Sequence, residues 1–234
     1  MSIIKIPNDR EFISNLILQK TGYFLDLGGA EAFQKWNAYG DKAGLVEFLE
    51  VTGKLDLYLE LVIEELTVEF NQLRAYIPKK NFEKIVSIGP GNGLFELLLV
   101  QEGLTSEILL IDIEHTDYHY HGYNEKGSGY ANLNATEVFI KSNINTDVTI
   151  ICCNPNKQRI PDFEFTLLIS LLSMGFHYPC LEYSDFIVNN SALSATIIFD
   201  KRNNVFDEGY NQLEKNFGII HEFQSPKSTR LIMS

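Results

Sequence analysis

Short apolar runs recur through the last two thirds of the chain. They cover residues 85–88, 108–112, 148–153, 165–171 and 195–200. Near-continuous apolar runs of this length are typical of strands in a parallel sheet that is covered on both faces. Helical patterns at 94–102, 133–140 and 203–216 separate the runs, and two short strands are predicted at about 218–223 and 229–233. The alternation predicts an α/β fold.

The first 80 residues have helical periodicity and no chemical motif. Apolar side chains recur at helical spacing between residues 55 and 76, and Asp41 is placed to cap a helix that ends at Gly53. Glutamates interleave with those apolar positions and are interpreted as a solvated face: Glu60, Glu64, Glu65 and Glu69. Pro78 then marks a boundary. We predict an N-terminal helical cap at 1–80, either covering the sheet or closing over a pocket as a lid, and a second unit at 81–234.

A glycine-rich turn follows the first predicted strand. Gly89, Gly91 and Gly93 stand at alternate positions, where the absence of a Cβ lets the backbone approach a ligand closely. The helix predicted after the turn would direct its free N–H groups at the same ligand. Asp112 ends the second strand 19 residues after Gly93, near the separation at which an acid binds ribose hydroxyls. These features predict a nucleotide-type site; the alternative is a strand-to-helix turn without a ligand.

The glycine spacing bears on which nucleotide binds. A dinucleotide fingerprint, G-x-G-x-x-G, would need a glycine where this chain has Leu94. The observed G-x-G-x-G resembles motif I of the class I S-adenosylmethionine-dependent methyltransferases. The resemblance covers about residues 84–234. It implies that family's Rossmann-like fold, a mostly parallel seven-stranded sheet with an antiparallel last strand, and S-adenosyl-L-methionine as cofactor. A nicotinamide-dependent oxidoreductase is the alternative.

The resemblance also implies roles for the residues of the turn. Gly89, Gly91 and Gly93 match the glycines that pass under the methionine part of the cofactor. A side chain introduced at Gly91 is therefore expected to fill the ligand's space. Asp112 matches the ribose-binding acid, with Glu114 as the second candidate because side chains at i and i+2 share a strand face.

Two further positions match the family less closely. Asn154 stands where the family has an Asp that bonds the adenine amino group, and its carbonyl oxygen can still accept a hydrogen bond. Thr166 stands where the family has the acid of its Phe-Asp-hydrophobic motif at the fourth strand. Ser170, assigned to the cofactor site, opens the loop that the resemblance places beside the transferable methyl. The two departures leave open a methyltransferase-like protein that binds a partner without catalysis.

A stretch rich in tyrosine and histidine follows Asp112, and residues 114–123 read EHTDYHYHGY. Such a segment can ligate a metal, pack on the surface, or form the wall of an acceptor pocket. We favour the wall: residues 115–132 are expected to form part of the acceptor pocket and not of the cofactor site, and we assign no metal. The predicted substrate contacts are His119, Tyr120, His121, Tyr130 and Tyr178.

A narrower resemblance concerns the acceptor. The segments EHTDYHYHGY…GYANL and SLLSMGFHYP are similar to sequences described as sugar O-methyltransferases of bacterial surface-polysaccharide clusters. The resemblance implies that the acceptor is a sugar or another small hydroxylated molecule in polysaccharide biosynthesis.

Methyl transfer to an alcohol needs a base, and the candidate is His177. A histidine has a pKa near 6.5 and suits proton removal at neutral pH. The alternative is a buried structural histidine that bonds a backbone carbonyl. Glu182 and Asp185 are candidate partners for the ring, and Asp200 ends the fifth strand near the expected site.

Composition and charge limit the classes of molecule that the chain is expected to bind. The chain has 234 residues, of which 45% are hydrophobic, and a formal net charge of −12. A chain this acidic is unsuited to bind nucleic acid, because it lacks the basic patch that displaces counterions. The sequence contains neither a signal peptide nor an apolar run long enough to insert in a membrane. We expect a cytoplasmic protein with reduced cysteines and a small-molecule acceptor, and leave open a homodimer.

Overall fold

The computed structural model describes residues 4–77, 82–114, 122–123 and 129–234. Five helices precede the sheet: α1 (Arg10–Gln19), α2 (Thr21–Asp26), α3 (Ala30–Tyr39), α4 (Lys42–Val51) and α5 (Leu55–Leu73). The side chain of Asp41 accepts a hydrogen bond from Gly44 N at 3.1 Å, which confirms it as the cap of α4. In α5 the buried side chains recur at the predicted helical spacing, although Tyr58 is buried at the first position where the pattern predicts Leu59: Tyr58, Val62, Leu66, Phe70 and Leu73.

The rest of the described chain alternates strands and helices. The strands are β1 (Phe82–Ile88), β2 (Thr105–Ile111), β3 (Thr149–Cys153), β4 (Phe165–Ser170), β5 (Ser191–Arg202), β6 (Ile219–Gln224) and β7 (Ser228–Met233). The helices are α6 (Leu94–Gln101), α7 (Leu133–Ser142), α8 (Leu181–Asn190) and α9 (Glu208–Asn216). The last of these begins later than predicted because Asp207 accepts a hydrogen bond from Tyr210 N and caps it there.

The strands form one seven-stranded sheet in the order β3-β2-β1-β4-β5-β7-β6. β1 to β5 pair in parallel, and β7 runs antiparallel to both β5 and β6. The predicted α/β fold with a reversed last strand is confirmed. From β1 the chain builds outwards on one side through β2 and β3, and on the other through β4. A crevice therefore opens at the carboxyl ends of β1 and β4, where ligands bind in folds of this kind.

Both faces of the sheet are buried, because neighbouring residues of one strand contribute to opposite cores. Ile85 of β1 belongs to a core that also contains Phe12, Trp36 and Phe70 from the N-terminal helices. Val86, the next residue, belongs to the core on the other face, with residues of α8 and α9. The N-terminal helices thus share a continuous hydrophobic core with the sheet. The division of the chain at residue 80 stays a prediction.

Within the described residues, no helix combines the length and the apolar character needed to cross a membrane. The three cysteines, Cys152, Cys153 and Cys180, are free thiols.

Candidate functional site

A cavity of about 470 Å³ lies at the carboxyl ends of β1, β2 and β4. Its floor includes the glycine turn between β1 and α6 and the segment 171–178 that follows β4. Residues of α1, α2 and α5 form the opposite wall. The cavity therefore lies between the sheet edge and the N-terminal helices, in the crevice that the strand order creates.

The glycine turn has a backbone that only glycine adopts without strain. Gly89, Gly91 and Gly93 have φ values of +69°, +58° and +75°. A Cβ at Gly89 would overlap Ser173 Oγ, and a Cβ at Gly93 would lie 2.6 Å from Thr136 Cγ2. These contacts explain why the turn needs glycine even before a ligand is considered.

The expectation for Gly91 was wrong in one respect. A Cβ there would lie 2.5 Å from the Gln19 side chain, so it would meet protein and not open ligand space. Gln19 ends α1 and forms a reciprocal pair with Asn92: its Nε2 donates to Asn92 Oδ1, and Asn92 N donates to its Oε1, both at 3.1 Å. Asn92 Nδ2 donates to Phe12 O at 2.7 Å. Helix α1 is thereby fixed to the glycine turn.

Asp112 follows β2 and lines the cavity. Its Oδ1 accepts a hydrogen bond from Glu114 N at 2.8 Å. Burial raises the pKa of Asp112 to about 7; the Glu114 carboxylate adds to the rise, and hydrogen bonds from backbone N–H groups of Glu114 and Gly91 oppose it. A buried carboxylate beside the glycine turn can accept hydrogen bonds from a pair of ligand hydroxyls.

Glu114 and Asn154 do not line the cavity; they bond each other. Glu114 Oε2 accepts from Asn154 Nδ2 at 2.8 Å and from Lys157 Nζ at 3.0 Å. Asn154 Nδ2 also donates to Ile113 O, and its Oδ1 accepts from Asn156 N. Despite partial burial, the hydrogen bonds from Asn154 and Lys157 hold the pKa of Glu114 below its usual value. Among the described residues, the pair is a structural cluster and not a cavity wall.

Ser170 is also outside the cavity lining. It is fully buried at the end of β4, donates to Ile88 O at 2.8 Å and accepts from Met174 N at 3.0 Å. Its hydroxyl therefore ties β4 and the following loop to β1. Ser173, three residues later, does line the cavity, and its Oγ lies 2.8 Å from Tyr178 Oη.

His177 lines the cavity, as the base hypothesis requires, and bonds a backbone carbonyl, as the structural alternative requires. Its Nδ1 lies 3.1 Å from Gly122 O. Because a carbonyl oxygen only accepts, Nδ1 carries the proton, and the neutral ring has its lone pair on Nε2. Asp185, a predicted partner of the ring, instead accepts from Gln212 Nε2 at 2.6 Å.

The predicted acceptor contacts are only partly described. Tyr130 lines the cavity, and its ring packs edge-on against Trp36 with a centroid separation of 5.7 Å. Tyr178 lines it beside the glycine turn, and burial holds the pKa of its phenol well above its usual range. His119, Tyr120 and His121 lie outside the described residues. Elsewhere in the chain, within the described ranges, no group of three or more potential metal ligands occurs.

An ion-pair network forms part of the cavity wall and corrects the interpretation of Glu69 as solvated. Glu69 lines the cavity with its side chain 15% exposed and pairs with Arg230 at 2.8 Å and Lys20 at 3.6 Å. Arg230 also donates to both carboxylate oxygens of Asp200, which accepts in addition from Leu172 N. Although burial opposes it, the two cations lower the pKa of Glu69. Asp200 is therefore committed to a structural pair.

Glu96 is a further cavity residue, one that no motif in the sequence predicts. It lies in the first turn of α6, is 3% exposed, and its Oε1 accepts from Ser87 Oγ at 2.5 Å. Its Oε2 is buried and has no hydrogen-bond partner in the described part of the chain. Burial raises the pKa of Glu96 to about 7, against the hydrogen bond from Ser87. The available signal was one charged residue within the apolar run Leu-Phe-Glu-Leu-Leu-Leu-Val.

The charges of the cavity favour a neutral or cationic ligand. Five acidic residues line it: Asp26, Glu65, Glu69, Glu96 and Asp112. Among the described residues that line the cavity, Lys20 is the only lysine or arginine. It is paired with Glu65 and Glu69. A pyrophosphate at this glycine turn would lie beside Asp112 and Glu96, two acids that burial already makes harder to ionise, without a compensating cation.

No protein-family model matches the chain, and no curated protein has a matching sequence. Solved structures share its fold. The N-methyltransferase NodS from Bradyrhizobium japonicum WM9, solved with S-adenosyl-L-homocysteine, has a TM-score of 0.51 at 12% identity, over 71% of this chain and 85% of that chain. An S-adenosylmethionine-dependent methyltransferase from Mesorhizobium loti has a TM-score of 0.50 at 15% identity, over 70% of this chain and 96% of that chain.

The PH0226 protein from Pyrococcus horikoshii OT3 has a TM-score of 0.50 at 16% identity, over 73% of this chain and 91% of that chain. At these identities the similarity establishes the architecture alone: the chain shares a Rossmann-like fold with these structures.

Proposed function

We propose that the chain is an S-adenosylmethionine-dependent methyltransferase whose cofactor binds in the cavity at the glycine turn. One observation carries the proposal: the turn and the buried carboxylate of Asp112 line the same acidic cavity in the sheet crevice. The fold shared with solved methyltransferases, one of them solved with S-adenosyl-L-homocysteine, supports it.

The residues present fit this cofactor in size and charge. A volume of about 470 Å³ lies within the range of ~300–1,000 Å³ that is usual for small-molecule sites. The Asp112 carboxylate suits the two ribose hydroxyls, and the acidic lining suits a ligand that carries a positive sulfonium and an ammonium group. A nicotinamide dinucleotide carries a pyrophosphate, for which the described lining offers no unpaired lysine or arginine.

When bound, S-adenosylmethionine supplies a methyl group activated by the positive sulfur. The protein must hold the acceptor oxygen in line with that methyl and remove a proton from it. His177 lines the cavity and has its lone pair on Nε2 in the neutral form, so we assign it as the base. Tyr178 is unsuited to this role at neutral pH, because burial keeps its phenol protonated.

The acceptor that we propose is a hydroxyl of a sugar or of a similar small molecule. The sequence resemblance to sugar O-methyltransferases of surface-polysaccharide clusters supports this choice. Tyr130 and the adjoining N-terminal helices would bound the acceptor side of the cavity, and aromatic faces with polar tips suit sugar rings. His119, Tyr120 and His121 stay predicted contacts.

Calorimetric titration of the purified chain with S-adenosylmethionine and S-adenosylhomocysteine tests the cofactor. We expect Asp112→Asn to weaken binding about 10-fold or more, because it removes charged acceptors for the ribose hydroxyls. The matched variant Asp162→Asn, at a carboxylate that is 93% exposed, should bind normally. Failure of millimolar cofactor to bind, or a rise in melting temperature with NADH instead, would overturn the proposal.

Transfer of a labelled methyl group tests the reaction. The wild-type chain is incubated with methyl-labelled cofactor and a panel of sugars, sugar nucleotides, and small amines as the comparison class. Label in a sugar product supports the proposed acceptor, whereas label only in amines contradicts it. Tight cofactor binding without transfer to any acceptor would favour a binding protein that lacks catalysis.

A further inference from the structure

The carboxylate of Glu96 lacks the partners that a buried charge needs. Of its two oxygens, Oε1 accepts from Ser87 Oγ, and Oε2 has no hydrogen-bond partner among the described residues. Leaving a buried carboxylate oxygen unsatisfied costs free energy, so such a group is kept neutral or is paired when a ligand binds. Both Glu96 and Ser87 line the cavity, so a ligand in the cavity would lie against this pair.

The other acidic residues of the cavity already have a hydrogen-bond or ion-pair partner or are exposed to solvent. Glu65 and Glu69 are paired with Lys20, and Glu69 also with Arg230. Asp112 accepts a backbone hydrogen bond from Glu114. Asp26 is exposed to solvent. Glu96 is therefore the carboxylate at which an additional positive hydrogen-bond donor would bring the largest gain.

The position of Glu96 defines which part of a ligand it would meet. It lies three residues after Gly93, in the first turn of α6, where the helix N-terminus favours a negative side chain. Ser87 lies in β1, two residues before Gly89. The pair thus flanks the glycine turn, whereas Asp112 follows β2, the neighbouring strand. A ligand whose ribose is held by Asp112 can extend its opposite end towards Glu96.

We infer that Glu96, oriented by Ser87, binds the α-ammonium group of the cofactor's amino acid part. This inference rests on the proposed function. An ammonium group has three donors and no acceptor, so it can bond Oε2 and neutralise the carboxylate. Ser87 donates to Oε1 and leaves the other oxygen for the ligand.

The test is a thermodynamic cycle between Glu96→Gln and the amino group of the ligand. Three ligands are titrated by calorimetry: S-adenosylhomocysteine, its analogue without the α-amino group, and 5′-methylthioadenosine, which lacks the amino acid altogether. We expect Glu96→Gln to weaken S-adenosylhomocysteine about 10- to 100-fold, the loss usual for a hydrogen bond to a charged group. The two ligands without an ammonium group should bind both proteins equally well.

Glu102→Gln is the matched control, since Glu102 caps the other end of α6 and pairs with Arg74 at the surface. It should leave the affinity of all three ligands unchanged. Circular dichroism and the melting temperature establish that each variant is folded. If Glu96→Gln does not fold, Ser87→Ala provides the same comparison with a smaller loss in the same direction.

The outcomes separate this inference from the proposed function. Selective loss of the ligand with an ammonium group supports the role of Glu96. Equal losses of affinity for all three ligands, or no loss for any, overturn the role of Glu96 but not the proposal that the wild-type chain binds the cofactor. Failure of every ligand to bind the wild-type chain instead overturns the proposed function.

Discussion

Two buried carboxyl groups, on Glu96 and Asp112, dominate the chemistry of the cavity. Burial raises the pKa of each to about 7, compared with ordinary values of 4.5 and 3.8. In the unfolded chain both groups ionise near pH 4, whereas in the folded chain they hold their protons up to about pH 7. Their contribution to stability is therefore complete below pH 4 and is lost as the pH rises towards 7.

We expect Glu96→Gln to remove part of this pH dependence. Near pH 7.5 the variant should be more stable than the wild type by about 1–3 kcal/mol, because an amide carries no charge to desolvate. Near pH 4 the two proteins should differ little. Urea unfolding at the two pH values measures both differences. A variant that is less stable at pH 7.5 would show that the ionised carboxylate is satisfied in the fold.

The second prediction at this scale concerns His177. If it removes the acceptor proton, His177→Ala should lower turnover roughly 10²- to 10⁴-fold and leave the affinity for S-adenosylmethionine unchanged. The wild-type rate should rise with pH through the histidine range and then level off, as the neutral ring becomes the dominant form. His221→Ala, on β6, is the control and should retain turnover. Full activity of folded His177→Ala would assign the base elsewhere, with His119 and His121 as the next candidates.

At the scale of elements, the contact between α1 and the glycine turn organises the site. Gln19 and Asn92 are 73 residues apart in sequence and exchange two hydrogen bonds. The Gln19 side chain also covers the position that a Cβ at Gly91 would take. Helix α1 therefore supports the backbone of the glycine turn and is more than an outer cover of the sheet.

We expect Gln19→Ala to destabilise the fold by about 1–3 kcal/mol, because it leaves hydrogen-bonding groups of Asn92 without these partners. It should also weaken cofactor binding, since the turn loses its support. Gln34→Ala, at an exposed position of α3, is the matched control for urea unfolding and calorimetry. Unchanged stability and affinity in Gln19→Ala would contradict a supporting role for α1.

At the scale of the whole molecule, the N-terminal helices and the sheet are joined by a common core and by a partly buried ion pair. Arg230 of β7 contacts Glu69 of α5 at 2.8 Å, with both side chains 15% exposed. Burial acts against the charge on Arg230, but hydrogen bonds and attraction from Asp200 and Glu69 raise its pKa. The cavity wall formed by α5 is thus connected directly to β7, which lies next to the edge strand β6.

Removing one partner of this pair should cost more than removing one partner of a surface pair. We expect Glu69→Ala to lower the free energy of unfolding by about 2–4 kcal/mol, since it leaves Lys20 and Arg230 less well compensated. Glu50→Ala breaks an exposed pair with Arg10 and should cost less than about 1 kcal/mol. Equal losses in the two variants would show that the Arg230–Glu69 contact is no stronger than a surface pair.

The features that the sequence determined by itself are those with a local physical signal. Apolar runs define buried strands by their own composition, and alternation with helical patterns defines the class of fold. Gly89, Gly91 and Gly93 are recognisable because a turn with positive φ needs glycine, and Asp112 because it ends a strand at a set distance from that turn. These signals do not depend on distant parts of the chain.

The tertiary structure alone decided which polar groups face the cavity and which are already paired. Asn154 and Ser170 were predicted cofactor contacts and lie at the ends of β3 and β4. Their hydrogen-bonding groups instead hold neighbouring elements together. Glu69 has the spacing of a solvated residue, yet the packing of α5 near β7 leaves it only 15% exposed and paired with Arg230. Gln19 and Glu96 give little or no local signal, because their roles depend on partners contributed by other elements. Burial and hydrogen-bond partners arise from packing between segments far apart in sequence, which no local pattern encodes.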